Sequence, residues 1–277
     1  MMNKESAALI AQIDQLAVPH GQLALWALGQ SGFVLKGGDV IAYIDPYLSN
    51  AIAATGGPAR RFPPPLAPSE IQHAQYVFAT HEHTDHADGA TLGPLLAASP
   101  QATLITSPQA AAIARDAGVV AARIVTPRLG ERVALEGLAY TPIPAAHYAC
   151  EVDEAGRSRW MGFLIRCNGV TVYHAGDTII FPELLAALEG QQIDLALLPL
   201  NGRDFPREAR GLVGNMWPSE SIDLAQRIGA RVLLGTHNDL FAENRLPAGL
   251  LFEELDRHAP FQRCHVLQPG ELYLYAG

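Results

Sequence analysis

Apolar residues recur along the chain in two spacings, and the switches between them lay out the secondary structure. Short apolar runs broken by glycine at Leu23 to Leu28, Gly32 to Lys36 and Val40 to Ile44 predict a strand meander. Further strand-like runs lie at 76–79, 103–106, 123–125, 131–135, 139–143, 160–166, 170–174, 194–199, 231–235, 264–268 and 271–275. Helical spacing predicts an amphipathic helix over the first sixteen residues and others near 89–98, 108–116, 182–189, 218–229 and 248–258. Residues 51–70 hold Gly56, Gly57, Pro58, Pro63, Pro64, Pro65 and Pro68 around Arg60-Arg61, and are expected to form a surface-mobile or lid-like loop. The elements fall into two similar halves, the first closing near residue 147. Mixed strands and helices in two halves fit two packed sheets with helices outside.

Composition narrows the classes of function. At 277 residues and 49% hydrophobic, the chain is long and apolar enough to bury a substantial core. A net charge of −9 without a basic run speaks against a nucleic-acid partner, because binding to a phosphate backbone leaves a Lys/Arg footprint. Cys150, Cys167 and Cys264 are odd in number and widely spaced, which fits reduced thiols and a cytoplasmic setting. The charged N-terminal stretch does not read as a signal peptide, and no apolar run reaches the length of a membrane span, so no membrane partner is expected. Homo-oligomers are compatible with the sequence and not specified by it.

The chemistry concentrates at residues 78–89, Phe-Ala-Thr-His-Glu-His-Thr-Asp-His-Ala-Asp-Gly, directly after the apolar run Tyr76 to Ala79. His81, His83, Asp85 and His86 packed this tightly beside a buried strand need a common partner, and a divalent cation supplies one. Their place at the carboxyl end of a strand is where open α/β sheets keep their chemistry.

The stretch resembles the H-x-H-x-D-H signature of the metallo-β-lactamase superfamily. That resemblance implies a four-layer αββα sandwich of two mixed β-sheets and extends the ligand set to His147 in Ile-Pro-Ala-Ala-His-Tyr, Asp177 in Tyr-His-Ala-Gly-Asp-Thr and His237 in Leu-Leu-Gly-Thr-His-Asn. By resemblance, His81, His83 and His147 hold one metal and Asp85, His86 and His237 a second, with Asp177 between them. Asp85 is also the candidate catalytic residue. Because these positions span 81 to 237, residues 1–277 are expected to form a single domain. His83 stands where oxygen-reducing di-iron relatives carry a carboxylate, which argues against a redox iron centre. Asp177 replaces the cysteine of some true β-lactamases and favours a bridged metal pair. One or two ions, zinc or manganese, suit the donors. Such a site brings a bound water toward neutral pKa and makes a protein nucleophile unnecessary. His174, three residues before Asp177, is a candidate for supporting a ligand, while His20, His73, His258 and His265 read as ordinary hydrogen-bonded or surface residues.

The runs at 26–36, 44–49, 62–65, 198–203 and 236–244 resemble the L-ascorbate-6-phosphate lactonase branch. The resemblance implies hydrolysis of a phosphorylated sugar-acid lactone, a small anionic substrate. A metal-dependent phosphodiesterase or nuclease, and a non-catalytic metal-binding module, are the alternatives. For the phosphate, Arg203, Arg60 and Arg61 are the candidate ligands, with Arg207 and Arg210 behind them, because a guanidinium fork matches phosphate oxygens. Asn201 and Asn244 are candidates for sugar hydroxyls. Residues 204–213 exceed the branch pattern where substrate would be selected.

Overall fold

Period-two alternation in the strands separates two apolar layers, one for each face of a sheet. In the computed structural model, which describes residues 4–277, the order is α1 (Lys4–Gln15), β1 (Gln22–Gly29), β2 (Gly32–Gly37), β3 (Val40–Ile44), α2 (Ala51–Ala54), β4 (Tyr76–Ala79), α3 (Gly89–Ala98), β5 (Thr103–Thr106), α4 (Pro108–Asp116), β6 (Ile124–Val125), β7 (Val133–Leu135) and β8 (Leu138–Pro144). It continues with β9 (Met161–Cys167), β10 (Val170–His174), α5 (Pro182–Leu188), β11 (Leu195–Pro199), α6 (Phe205–Glu208), α7 (Pro218–Arg227), β12 (Val232–Thr236), α8 (Ala248–His258), β13 (Arg263–His265) and β14 (Leu272–Ala276). The predicted N-terminal helix covers residues 4–15, and its first three residues lie outside the described ones.

Two seven-stranded sheets form, ordered β14-β1-β2-β3-β4-β5-β6 and β13-β12-β11-β10-β9-β8-β7. Each is antiparallel at one end and parallel at the other. Strand β1 shows the alternation directly. Leu23, Leu25 and Ala27 join Phe33, Phe78, Tyr140 and Phe163 in the core between the sheets, while Ala24, Trp26 and Leu28 face the layer built with α1, α3 and α4. A matching layer covers the second sheet with α5, α7 and α8. Phe78 packs edge-on against Phe163 and Tyr140 at ring-centroid distances of 5.0 and 5.5 Å. Burying each such side chain contributes about 1.5–3 kcal/mol. The result is the expected αββα sandwich. Among the described residues no helix is long and apolar enough to cross a membrane.

Two expectations from the sequence need correction. The two halves are not contiguous, because β7 and β8 belong to the second sheet, where β8 pairs with all seven residues of β9, and β14 returns to cover the edge of β1. Residues 51–70 are not a free loop. They contain α2 and a 3-10 turn at Pro68–Glu70, and Arg60 ties them down by donating to the carbonyls of Tyr47, Ser49 and Phe62. Residues 204–213 contain the short helix α6 with Asp204 accepting from Arg207 N at its start.

Candidate metal centre

Strand ends converge on one point. His81, His83, Asp85 and His86 lie in the turn between β4 and α3, His147 follows β8, Asp177 follows β10 and His237 follows β12. The turn is closed by His86 N and Ala87 N donating to His83 O, and Asp88 then caps α3 by accepting from Ala90 N. The path to Asp177 runs through Gly176 at φ 61°, where a Cβ would meet Thr80 at 2.9 Å, so only glycine fits. His237 itself is left-handed at φ 57°, and its N–H donates to Gln30 O.

Two donor groups result. One ligand atom each from His81, His83, His147 and Asp177 falls within a 4.8 Å cluster, and Asp85, His86 and His237 form a second. Asp177 Oδ1 lies 3.2 Å from His86 Nε2 and 3.3 Å from His237 Nε2, so the carboxylate of the first group faces the imidazoles of the second. Nε2 of His86, Nε2 of His147 and Oδ1 of Asp177 are buried and make no hydrogen bond. His81 Nε2 and His83 Nδ1 stand 2.9 Å apart. Orphaned buried polar atoms aimed at a common point are costly unless a shared partner satisfies them. This donor set, five imidazoles and two carboxylates, fits one or two divalent cations.

The hydrogen bonds behind the donors select their tautomers. Asp45, fully buried just after β3, accepts from His86 Nδ1 at 2.7 Å and from Thr80 N and Oγ1, each at 2.8 Å. Thr80 Oγ1 in turn accepts from His81 Nδ1 at 3.0 Å. One carboxylate therefore orients an imidazole in each group and leaves both Nε2 atoms facing the centre. Gln30 Nε2 donates to Asp85 Oδ2 at 2.7 Å. Neither Asp45 nor Gln30 stands out in the sequence. The only signal is a lone acid at the end of a buried strand, in Ile-Asp-Pro. His174 sits behind Asp177, donating from Nε2 to Ser31 O at 2.8 Å and accepting from Gly176 N at Nδ1, which holds the turn without reaching the centre.

Electrostatics divides the histidines. Burial pushes the imidazoles of His81 and His147 below their ordinary value. Burial opposes charging of His237 as well, yet Asp177 and Asp85 outweigh it and push this imidazole up to about 9. His86 moves up in the same way. Burial disfavours the anions of Asp85 and Asp177, but the facing imidazoles prevail and hold both carboxyls below the usual range. In the metal-free protein these shifts oppose one another. The contribution of His81 and His147, which bind protons better when unfolded, is present above about pH 6.5 and is lost on acidification. That of His237 is full below about pH 6.5 and is lost as pH rises through about 9. The melting temperature of metal-free protein is therefore expected to fall on both sides of about pH 6.5. In metal-loaded protein the alkaline fall should vanish, because cations take the place of those protons. Scanning calorimetry of both forms from acid to alkaline pH checks this, and an equally steep alkaline decline in both would contradict it.

The arginines expected to read a phosphate are otherwise engaged. Arg203 makes a fork onto Glu220 at 2.7 and 2.6 Å and donates to Asn215 O. It thereby anchors the loop whose Gly214 O lies 3.5 Å from His147 Nδ1. Arg60 is held by backbone carbonyls, Arg61 by Asp239 O, and Arg210 lies 3.9 Å from Glu243. Arg207 pairs with Asp204 and donates to Asn201 O and Asn244 Oδ1. Asn201 is fully buried between Asn215 and Asn244. Of the seven substrate candidates, only Asn244 lines the cavity of about 220 Å³ above the donors, where it stands beside His237.

Comparison with known proteins gives the family and the fold. Residues 42–238 match the family model of the beta-lactamase superfamily domain. The chain is 30% identical over 251 residues to a UPF0173 metal-dependent hydrolase of Alkaliphilus metalliredigens, covering 89% of this chain and 97% of the relative. It is 30% identical over 201 residues to one of Methanospirillum hungatei, covering 71% and 82%. Its fold is similar to that of a metallo hydrolase from the archaeon Ignicoccus hospitalis, with TM-score 0.68, 20% identity and coverage of 92% and 98%. It is also similar to an isothiocyanate hydrolase from Delia radicum gut bacteria, with TM-score 0.71, 19% identity and coverage of 92% and 100%. The signature turn, the later strand-end ligands and these matches together make the chain a member of the metallo-β-lactamase superfamily, within its UPF0173 metal-dependent hydrolases.

Proposed function

We propose that this metal-dependent hydrolase opens a small lactone, with His81, His83 and His147 holding one divalent ion, Asp85, His86 and His237 a second, and Asp177 between them. The observation that supports the reading is the cavity floor. His83, Asp85, Asp177 and His237 line it and, among the described residues, no serine, cysteine, threonine or lysine does, which favours water as the nucleophile. Bound in these sets, divalent ions acidify a water and polarise a carbonyl oxygen. Zinc suits the imidazole-rich donors, and manganese accepts both donor classes. In the reaction the water oxygen bonds to the carbonyl carbon, the ring C–O bond breaks, and one water proton ends on the departing ring oxygen, giving a hydroxy acid. Asp85 moves that proton. Its carboxylate is ionised, reaches the cavity and is oriented by Gln30. The phosphodiesterase alternative has less support, since no arginine or lysine meets a phosphate at the cavity wall.

Asp85→Asn should lower kcat on a γ-lactone by about 10²–10⁴-fold, the usual worth of a positioned proton-transfer group. Titrating released acid at constant pH measures the rate, and elemental analysis of the same sample separates lost metal from lost proton transfer. Activity untouched by the substitution at full metal content would remove Asp85 from the mechanism. Faster turnover of bis(p-nitrophenyl) phosphate than of any lactone would replace the reading with phosphodiester cleavage.

A further inference from the structure

We infer that the part of the substrate that does not react is small, uncharged and apolar. This inference rests on the hydrolase reading of the same site and concerns what the site selects. Three segments far apart in sequence wall the cavity with Ile52 and Pro58, Leu212 and Val213, and Phe241. Phe241 is buried against Tyr47 and Ile52, so this wall continues into an apolar cluster and is not a surface accident. At about 220 Å³ the space lies below the roughly 300–1,000 Å³ of pockets for drug-sized ligands, which limits the substrate to a compact molecule.

Charge selects in the same direction. Among the described residues lining the cavity, Glu243 is the one charged side chain outside the metal donors, half exposed and 3.9 Å from Arg210. An anionic substituent resting against this wall, away from the metal donors, would leave water, find no arginine or lysine among the lining residues and face this carboxylate. Burying an unpaired charge in that way is strongly unfavourable. Arg60 donates to three carbonyls, Arg203 pairs with Glu220 and Arg207 with Asp204, while Arg210 and Arg245, next in sequence to the wall, are exposed and do not line the cavity. Residues 204–213, the stretch by which the chain exceeds the phosphorylated-lactone pattern, contribute Leu212 and Val213 to the wall. That stretch thus places methyl groups, and no cationic side chain, on the cavity wall.

The test uses full-length, metal-loaded protein and a series of γ-lactones, unsubstituted and with alkyl tails of two and four carbons, beside a lactone of matched length ending in phosphate. kcat/KM should rise about fourfold per methylene, the fold-change equivalent to about 0.8 kcal/mol of apolar burial. The phosphorylated lactone should be at least about a hundredfold poorer than its neutral counterpart, and Glu243→Arg should narrow that gap. Leu212→Asn should reduce the dependence on tail length to under about twofold per methylene. A preference for the phosphorylated lactone, or no dependence on tail length, would overturn the inference while leaving hydrolysis intact. If no lactone is hydrolysed, calorimetric binding of the corresponding lactams decides. Affinity that grows with tail length upholds apolar selection while the lactonase reading fails, and flat affinity overturns both.

Discussion

Asp177→Ala is expected to leave a protein that folds, binds metal at one set at most and has lost its hydrolytic activity. Asp177 Oδ1 reaches His86 and His237 at 3.2 and 3.3 Å while belonging to the donor cluster of His81, His83 and His147. Its removal takes away the anion that balances cations in both sets and the contact that keeps His86 and His237 charged before metal arrives. Removing one partner of a buried charge cluster costs about 3–5 kcal/mol, so metal-free protein should melt well below wild type. Loss of a preorganised electrostatic element costs activity by about 10²–10³-fold or more. Proton release on metal uptake, read by calorimetry in buffers of different ionisation heat, should also drop, because His237 is no longer pushed up to about 9. Asp177→Ala protein that still binds two ions and turns over substrate at the wild-type rate would show that Asp177 does not bridge.

Asp45→Asn should weaken metal binding at both sets although Asp45 touches no metal. Its carboxylate accepts from His86 Nδ1, Thr80 N and Thr80 Oγ1, and through Thr80 it orients His81. An amide at this position retains one acceptor oxygen but turns an NH2 toward a donor, so one of the imidazoles loses its orienting partner. Loss of such outer contacts costs about 10–100-fold in metal affinity. Activity at limiting metal should fall by a similar factor and recover when metal is raised, a pattern that a misfolded site would not show. Asparagine is the informative choice because residue 45 is left-handed at φ 44°, a conformation that Asn and Asp tolerate better than Ala. Metal dissociation constants equal to those of wild type would mean that Asp45 serves the fold alone.

Much of this protein is legible in one dimension. The apolar spacings place β1 to β5, α3, α4 and α8 at or within a residue of where they lie, because strand and helix periodicity is written by near neighbours. The turn at 81–86 announces a shared cation because four ligand types in six positions have few other uses. The supporting residues are not legible in that way. Gln30 N donates to Asp239 across 209 positions, Asp45 accepts from Thr80 and His86 across 35 and 41, and nothing local to either residue names its partner.

The arginines mark the same boundary. Their presence in an acidic chain suggested a site for an anion, since a side chain's charge is fixed by its type. What that charge meets is fixed by loop paths. Helix α7 brings Glu220 to Arg203, and the carbonyls of residues 47, 49 and 62 close on Arg60. The sequence by itself determined the elements and the metal-binding turn at 81–86, which follow from composition and short-range order, while the αββα sandwich and the donors at 147, 177 and 237 were what the resemblance implied. Only the tertiary structure decided which strands share a sheet, which carboxylate stands behind the histidines and that the cavity wall is apolar, because each depends on segments that meet only after the chain has folded.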